Sequence, residues 1–344
     1  MLFLSLVINP KKEVKLSSKT SKISLAQIKE ARERIKGLIN KTPCAYSLPL
    51  SRIIGREIFL KLENLQITQA FKARGNANKI ALLNKEQKRR GVITASSGNH
   101  GQGLSLAALR NGVKAVIVLP EVAPNNKVEK IKENKAEVII RGKTYDDASN
   151  YAHSLSEKMG YVYIPSFDDP DIIAGNGSIG LEILEQVPQT EVIICPIGGG
   201  GGISGISLAA KQINSDIQIV GVEAEKSASM LESIKADKIV ELPSADTFAD
   251  GIAVRKPGEI NFEIVKKYVD NIVTVSEEEM KLAIAILAKE AKIVVEGAGA
   301  SSVAALLSKK ISIEGISTVV CVITGGNIDM SLFKSILEVA NSHG

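Results

Sequence analysis

"EVIICPIGGGGGISGISLAAKQI", residues 191–213, decides how the chain is built. It starts as an apolar, β-branched run that reads as a buried strand and ends in "ISGISLAAKQI", which reads as a helix. Between them stand five successive glycines, Gly198, Gly199, Gly200, Gly201 and Gly202. Without Cβ atoms the backbone can approach a ligand closely. Its N–H groups can converge on an anion beside the positive end of the following helix. A phosphate is the natural guest, and a merely flexible connection explains the flanking strand and helix poorly. The turn is not the G-x-G-x-x-G dinucleotide fingerprint. No G-x-x-x-x-G-K-[ST] loop is present either, which counts against a nucleoside triphosphate.

The same strand-then-helix rhythm runs outward from this turn. Strand candidates are "VITA" 92–95, "AVIVL" 115–119, "EVII" 137–140, "EVIICPI" 191–197, "IQIVGVE" 217–223, "NIVTV" 271–275 and "TVVCVIT" 318–324. Helical patterns lie between most of them. "SLAQIKEARERIKGLI" opens with a capping box, Ser24 with Gln27, and sets Ile28, Ile35, Leu38 and Ile39 on one face. "SEEEMKLAIAILAKEA" opens with a second, Ser276 with Glu279. Alternation of this kind predicts an α/β fold with parallel sheets covered by helices on both faces. Repeated βα units can also close into a barrel, and the rhythm alone leaves that open.

The totals exclude several classes. The chain has 344 residues with 44% apolar content, enough for one large or two smaller domains. The net charge is +5, and the basic runs "KEQKRR" and "KVEKIKENK" read as solvated helix faces. No aromatic residues interleave a basic groove, so nucleic acid is not an expected partner. No apolar run reaches the ~20 residues that span a bilayer. The N-terminal "MLFLSLVI" lacks the flanks of a signal peptide and reads as an extra strand or a loose arm. Cys44, Cys195 and Cys321 lie far apart with no CxxC pair, which predicts buried thiols in a reducing cytosol.

In parallel α/β folds, ligands bind where strands end and helices begin. Two further polar turns occupy such places, "SSGNHGQG" 96–103 after "VITA" and "TGGN" 324–327 after "TVVCVI". A candidate nucleophile, Lys72, sits in "ENLQITQAFKARGN" 63–76. A lysine amine that is partly desolvated can form a Schiff base with an aldehyde, although a lone lysine before a helix is ordinarily a surface residue.

These segments occur in one order with "FDDPDIIAGNGSIGLEI", "TFADGIAV", "VVEGAGA" and "TGGNID". Together they resemble the fold-type II pyridoxal-phosphate enzymes, in the branch of threonine dehydratases and serine racemases, from about residue 24 onward. The resemblance implies a fold like the tryptophan synthase β subunit. A large cofactor-binding domain is expected from residues 1–81 and 166–344, with residues 1–20 as a loose arm. A small mobile domain is expected from residues 82–165. The cofactor would be pyridoxal 5'-phosphate, held covalently by Lys72, which would also serve as base at Cα. Phe71 would pack on the pyridine ring, Asn99 would meet its hydroxyl, and Gly198 to Gly202 would hold the phosphate. Thr324 would meet the ring nitrogen, where serine is usual in this branch. Ser96, Ser97, Gly98, Asn99 and His100 would form the loop for the substrate carboxylate.

The implied reaction is β-elimination of water from L-threonine or L-serine, giving 2-oxobutanoate or pyruvate and ammonia. Serine racemisation is the alternative, with Lys72 and Ser97 as bases on opposite faces, because dehydratases often carry alanine where Ser97 stands. A 3-hydroxyaspartate dehydratase, a β-replacement synthase and an inactive amino-acid sensor are further alternatives. In racemases "VEAEKSASM" would supply a cation site, mono- or divalent. Here Glu223 matches its first acid and Ser229 replaces its second, which makes a poor ligand set. The resemblance also implies a homodimer or homotetramer. The chain ends one helix after "TGGNID", so no C-terminal regulatory domain is expected.

Overall fold

In the computed structural model, residues 6–7, 16–18, 20, 23–96, 98–121 and 125–342 are described. The chain begins with strand β1 (Leu6–Val7), helix α1 (Leu25–Ile35), β2 (Cys44–Tyr46), α2 (Leu48–Ile54), β3 (Glu57–Leu62), α3 (Lys72–Leu82) and α4 (Lys85–Arg90). It continues through β4 (Val92–Ala95), α5 (Asn99–Arg110), β5 (Ala115–Leu119), α6 (Asn125–Glu133), β6 (Glu137–Ile140), α7 (Tyr145–Met159) and β7 (Val162–Tyr163). Then come α8 (Pro170–Gln186), β8 (Val192–Pro196), α9 (Gly201–Ile213), β9 (Gln218–Ala224), α10 (Ser229–Ala236), α11 (Glu259–Tyr268) and β10 (Asn271–Val275). The chain closes with α12 (Glu277–Ile286), α13 (Gly297–Leu307), β11 (Thr318–Ile323) and α14 (Met330–Ser342).

The strands form two open sheets, which settles the barrel alternative. One has seven strands in the order β1-β10-β9-β8-β11-β3-β2, and the other has four in the order β6-β5-β4-β7. The small sheet is parallel throughout. In the large sheet only the edge strands β1 and β2 run antiparallel to their neighbours. Strands β5, β8 and β11 are buried at every position, because helices cover both faces and leave no side of these strands for water. Leu6 and Val7 pair with β10, so that part of the N-terminal stretch is an extra strand.

Strands β4, β5, β6 and β10 coincide with the apolar runs read from the sequence, and both expected capping boxes form. Helix α1 stops earlier than expected. It ends at Ile35, and Gly37 turns the chain with φ +79°, so Leu38 and Ile39 leave the helical face. Strands β2, β3 and β7 were not among the expected strands. The three cysteines are free, with Cys195 and Cys321 buried inside strands and Cys44 half-buried.

The strand order carries the functional consequence. β8, β9 and β10 succeed one another in one direction, and β11 then returns to the other side of β8. β4, β5 and β6 likewise run one way, and β7 returns beside β4. Each sheet therefore has a topological switch point, where the loops leaving adjacent strands part and open a crevice. The crevice of the large sheet lies at the carboxyl ends of β8 and β11, and that of the small sheet at the ends of β4 and β7.

Candidate active site

The loops at the two crevices meet. Lys72, the first residue of α3, donates from Nζ to the Ser166 carbonyl, 2.8 Å away in the segment after β7. Its ammonium lies 5.2 Å from the centre of the Phe71 ring and 6.0 Å from that of Phe167. Burial lowers its pKa to about 8, because an ammonium loses hydration when surrounded by protein. A substantial fraction is therefore neutral, and nucleophilic, near physiological pH. The turn before Lys72 is fastened to the end of β11: Phe71 N donates to Thr324 O at 3.0 Å, and Gly326 N donates to Gln69 O at 2.9 Å.

The glycine turn behaves as its composition suggests. Gly200 has φ +97°, a backbone state that disfavours side chains, and it is the residue from which α9 starts. The first intrahelical bond runs from Ser204 N to Gly200 O, so the N–H groups of the preceding turn have no acceptor within the helix. A Cβ on Gly199 would stand 2.5 Å from the Phe167 ring, and one on Gly202 would stand 3.2 Å from Phe71. The loop after β7 thus presses on Gly199 at a distance that excludes a Cβ, and the turn before α3 packs tightly on Gly202.

Asn99 opens α5. Its Nδ2 donates to Glu296 Oε1 at 2.8 Å, and its Oδ1 accepts from Asn327 Nδ2 at 2.8 Å. Asn327 is held in turn by Thr68 O and by Lys130 Nζ from α6. Glu296, nearly buried at the start of α13, is placed by its backbone N–H on Gly325 O. Ser96 accepts from Gly98 N through Oγ, which leaves its hydroxyl proton free to donate. Among the described residues the first bond of α5 runs from Gln102 N to Gly98 O, and the N–H groups of Asn99 and His100 have no acceptor within the helix. Ser97 lies outside the described residues.

His100 departs from a loop role for its side chain. The ring is buried. Asn76 Nδ2 donates to Lys72 O at 2.8 Å and sits 3.2 Å from His100 Nδ1, so Nδ1 accepts and Nε2 carries the proton toward Ile164 O. Burial, reinforced by the nearby Lys72 charge, lowers the pKa to about 3. The ring is thus a neutral link between α3 and the small sheet. Unfolded histidine binds a proton near 6.5. Between about pH 6.5 and 3 the unfolded chain therefore holds more protons than the folded one, and stability falls as pH falls. Denaturant unfolding at pH 7 and pH 5 should show wild type losing ~2 kcal/mol more than His100→Gln over that interval.

Glu223, expected as a cation ligand with Ser229, reaches the start of α10, whose first residue is Ser229. The Glu223 carboxylate is fully buried and accepts from Met230 N at 2.9 Å and Leu231 N at 2.8 Å. It caps the start of α10, whose first N–H groups need acceptors. Burial raises its pKa to about 8. Among the described residues no group of three or more His, Cys, Asp or Glu side chains is placed to hold a metal ion.

Phe167, Asn327 and Asn76 were not singled out from the sequence, although Phe167 and Asn327 stand inside the quoted "FDDPD" and "TGGNID" runs. The Thr324 hydroxyl is buried and has no hydrogen-bond partner among the described residues. A buried hydroxyl of this kind is open to a polar partner from water or from a ligand. With an amine, an aromatic ring, a phosphate-type glycine turn and this hydroxyl converging, the residues fit a phosphorylated, nitrogen-containing aromatic aldehyde.

Comparison with known proteins gives the same answer. A model of the family described as "pyridoxal-phosphate dependent enzyme" matches residues 35–325. An L-threonine ammonia-lyase of Thermotoga maritima is 47% identical over 316 residues, which cover 92% of this chain and 78% of that protein. The processed form of threonine deaminase isoform 2 from Solanum lycopersicum superposes with a TM-score of 0.90 at 34% identity, covering 99% of this chain and 98% of that one. Maize serine racemase superposes with a TM-score of 0.87 at 35% identity, covering 93% and 99%. The chain belongs to the family of pyridoxal-phosphate-dependent enzymes, and its fold is the two-sheet α/β fold of their type II.

Proposed function

We propose that the protein is an L-threonine and L-serine ammonia-lyase that releases 2-oxobutanoate or pyruvate and ammonia. The observation that carries this reading is the convergence of Lys72, Asn99, the glycine turn and Thr324 from four separate elements on one crevice. The names of the relatives, threonine ammonia-lyase and threonine deaminase, support it. When bound, the cofactor supplies an electron sink for the negative charge that develops at Cα. Lys72 holds it and takes the Cα proton, a task suited to an amine with a pKa near 8. The turn from Gly198 to Gly202 would receive the phosphate on the N–H groups before α9, and Phe71 would lie against the ring. Thr324 Oγ1 would meet the ring nitrogen, and Asn99, held in place by Glu296 and Asn327, would stand beside the ring hydroxyl.

The substrate carboxylate docks at the start of α5, on the Ser96 hydroxyl and on the backbone N–H groups of Asn99 and His100. Loss of the β-hydroxyl as water leaves an unsaturated amino acid, whose hydrolysis yields the 2-oxo acid and ammonia. Residues 82–165, which contain the whole small sheet, close over the crevice and shut out water. Lys130–Asn327 and Arg255–Asp146, at 2.9 Å and 2.8 Å, bridge this unit to the large one. Cytosolic residence fits the buried free thiols. Assembly as a homodimer or homotetramer fits the exposed apolar side chains of Tyr46, Leu48 and Ile53 around α2.

Serine racemisation is the second reading, favoured by the likeness to maize serine racemase and by the serine at position 97. Proton NMR in deuterium oxide with L-threonine, L-serine and L-3-hydroxyaspartate, followed by chiral analysis, separates the readings. The expected result is 2-oxobutanoate and pyruvate with equimolar ammonia. Exchange at Cα with D-serine and no 2-oxo acid would establish the racemase instead. Faster turnover of 3-hydroxyaspartate than of threonine would assign that substrate.

A further inference from the structure

Directly behind the turn that presents Lys72, four charged side chains are buried together. Arg74, Lys61 and Glu63 are fully buried and Glu182 is 3% exposed. Arg74 comes from α3, Lys61 from β3, Glu63 from the turn after β3, and Glu182 from α8. The guanidinium grips two carboxylates at once, each with two bonds. Nε and Nη2 reach Glu63 at 2.7 and 2.8 Å, and Nη1 and Nη2 reach Glu182 at 2.7 and 2.8 Å. Nη1 also meets Ser178 Oγ, and Nη2 meets Thr42 Oγ1. Lys61 Nζ closes the group, donating to Glu182 Oε2 and to Thr42 O, each at 2.6 Å.

Stability alone does not account for this arrangement. Burying four ions costs several kcal/mol per ion in hydration, and well-packed apolar residues commonly serve as well or better. What a doubly forked guanidinium does supply is a fixed direction, since its plane is set by both carboxylates and cannot rotate. The place where direction is needed lies two residues away. Successive helical residues are 100° apart, so Lys72 and Arg74 project about 200° apart, nearly opposite, from the first turn of α3. That helix start has no side-chain cap. Arg74 and Glu63 also clamp the two ends of the segment that leads into Lys72. On the far side α3 lies close against α8, where a Cβ on Gly75 would stand 2.8 Å from Ile172 O. The four charges sum to zero, and burial is the sole resolved cause of the lowered Lys72 pKa, so the influence on Lys72 is geometric.

We infer that Arg74, with Glu63 and Glu182, is a positioning residue for Lys72, setting the rotation and entry of α3 so that the amine is aimed into the crevice. This rests on the reading of Lys72 as the amine that holds the cofactor. Arg74→Lys keeps the charge and removes both forks. In the holoenzyme it should lower kcat at least about tenfold with KM for the amino acid within about twofold, since small misplacements of a reacting group cost this much or more. Visible-region circular dichroism of the bound cofactor should weaken, and borohydride trapping on Lys72, read by mass spectrometry, should slow in step.

A purely structural role predicts lower thermal stability with kcat per folded, cofactor-loaded molecule, dichroism and trapping all unchanged; that outcome overturns the inference. Should Arg74→Lys fail to fold, the neutral pair Lys61→Met with Glu182→Gln removes one fork while preserving charge balance, and the same three readouts apply. Trapping on another lysine in the wild-type enzyme would instead overturn the reading of Lys72 itself, whatever Arg74 does.

Discussion

Lys72→Ala is expected to abolish turnover and the visible band of the bound cofactor. Three features of the site combine in this residue. Its Nζ is the amine that reaches the crevice, held on Ser166 O between the Phe71 and Phe167 rings. Its pKa near 8 provides neutral amine at working pH, and its position at the first turn of α3 places it beside the start of α5 and the end of β11. Losing a positioned general base costs on the order of 10²- to 10⁴-fold. Losing the covalent hold adds to this, because in the proposed function the nucleophile and the base are the same atom. The phosphate turn remains intact in the variant, so some cofactor should bind and dialyse away. Absorbance and borohydride trapping before and after dialysis, with 2-oxo acid assayed alongside, check this. A variant that keeps a reducible band on protein together with turnover would remove Lys72 from its assigned role.

The second large effect is expected from Gly200→Ala. This glycine has φ +97° and ψ −11°, and a Cβ built on it would stand 2.7 Å from Asn261 Cβ and 2.9 Å from Met230 Cε. A left-handed backbone costs ~1–3 kcal/mol for a residue with a side chain, and overpacking costs ~1–3 kcal/mol more. The turn relieves both by shifting, which moves the N–H groups before α9 off the phosphate. The dissociation constant for pyridoxal phosphate should rise about ten- to hundredfold, a loss of ~1.4–2.7 kcal/mol. Titration of the cofactor-free protein measures it. Gly37→Ala is the control, since Gly37 has φ +79° and open space around it. It shares the backbone cost and lies far in sequence from the turn. Equal affinity in Gly200→Ala and wild type would mean that the phosphate is held elsewhere.

Much of the scaffold was legible as residue pattern. The apolar β-branched runs of β4, β5, β6 and β10 announce strands because such runs fit a sheet buried on both faces. The capping boxes of α1 and α12 announce helix starts because their hydrogen bonds close within four residues. β3 escaped notice because "EIFLKL" carries Lys61, and a lysine inside a central strand is tolerated only when a partner 121 residues away, Glu182, accepts its proton-bearing end. β2 and β7 are two or three residues long and have too little pattern to read.

The site divides in the same way. The turns that hold Gly198 to Gly202, Asn99 and Thr324 could be placed in advance because each follows the end of a strand, whereas the particular roles of Asn99 and Thr324 rested on the family resemblance. Sequence by itself thus determined the α/β architecture, the polar turns and the candidate amine, all of which depend on short-range spacing. Only the tertiary structure decided that the two switch points face each other, that His100 is a neutral link, that Glu223 caps α10, and that Arg74 is gripped from both sides. Each of these depends on desolvation or on partners drawn from distant segments, and burial and long-range contact are created only when the chain folds.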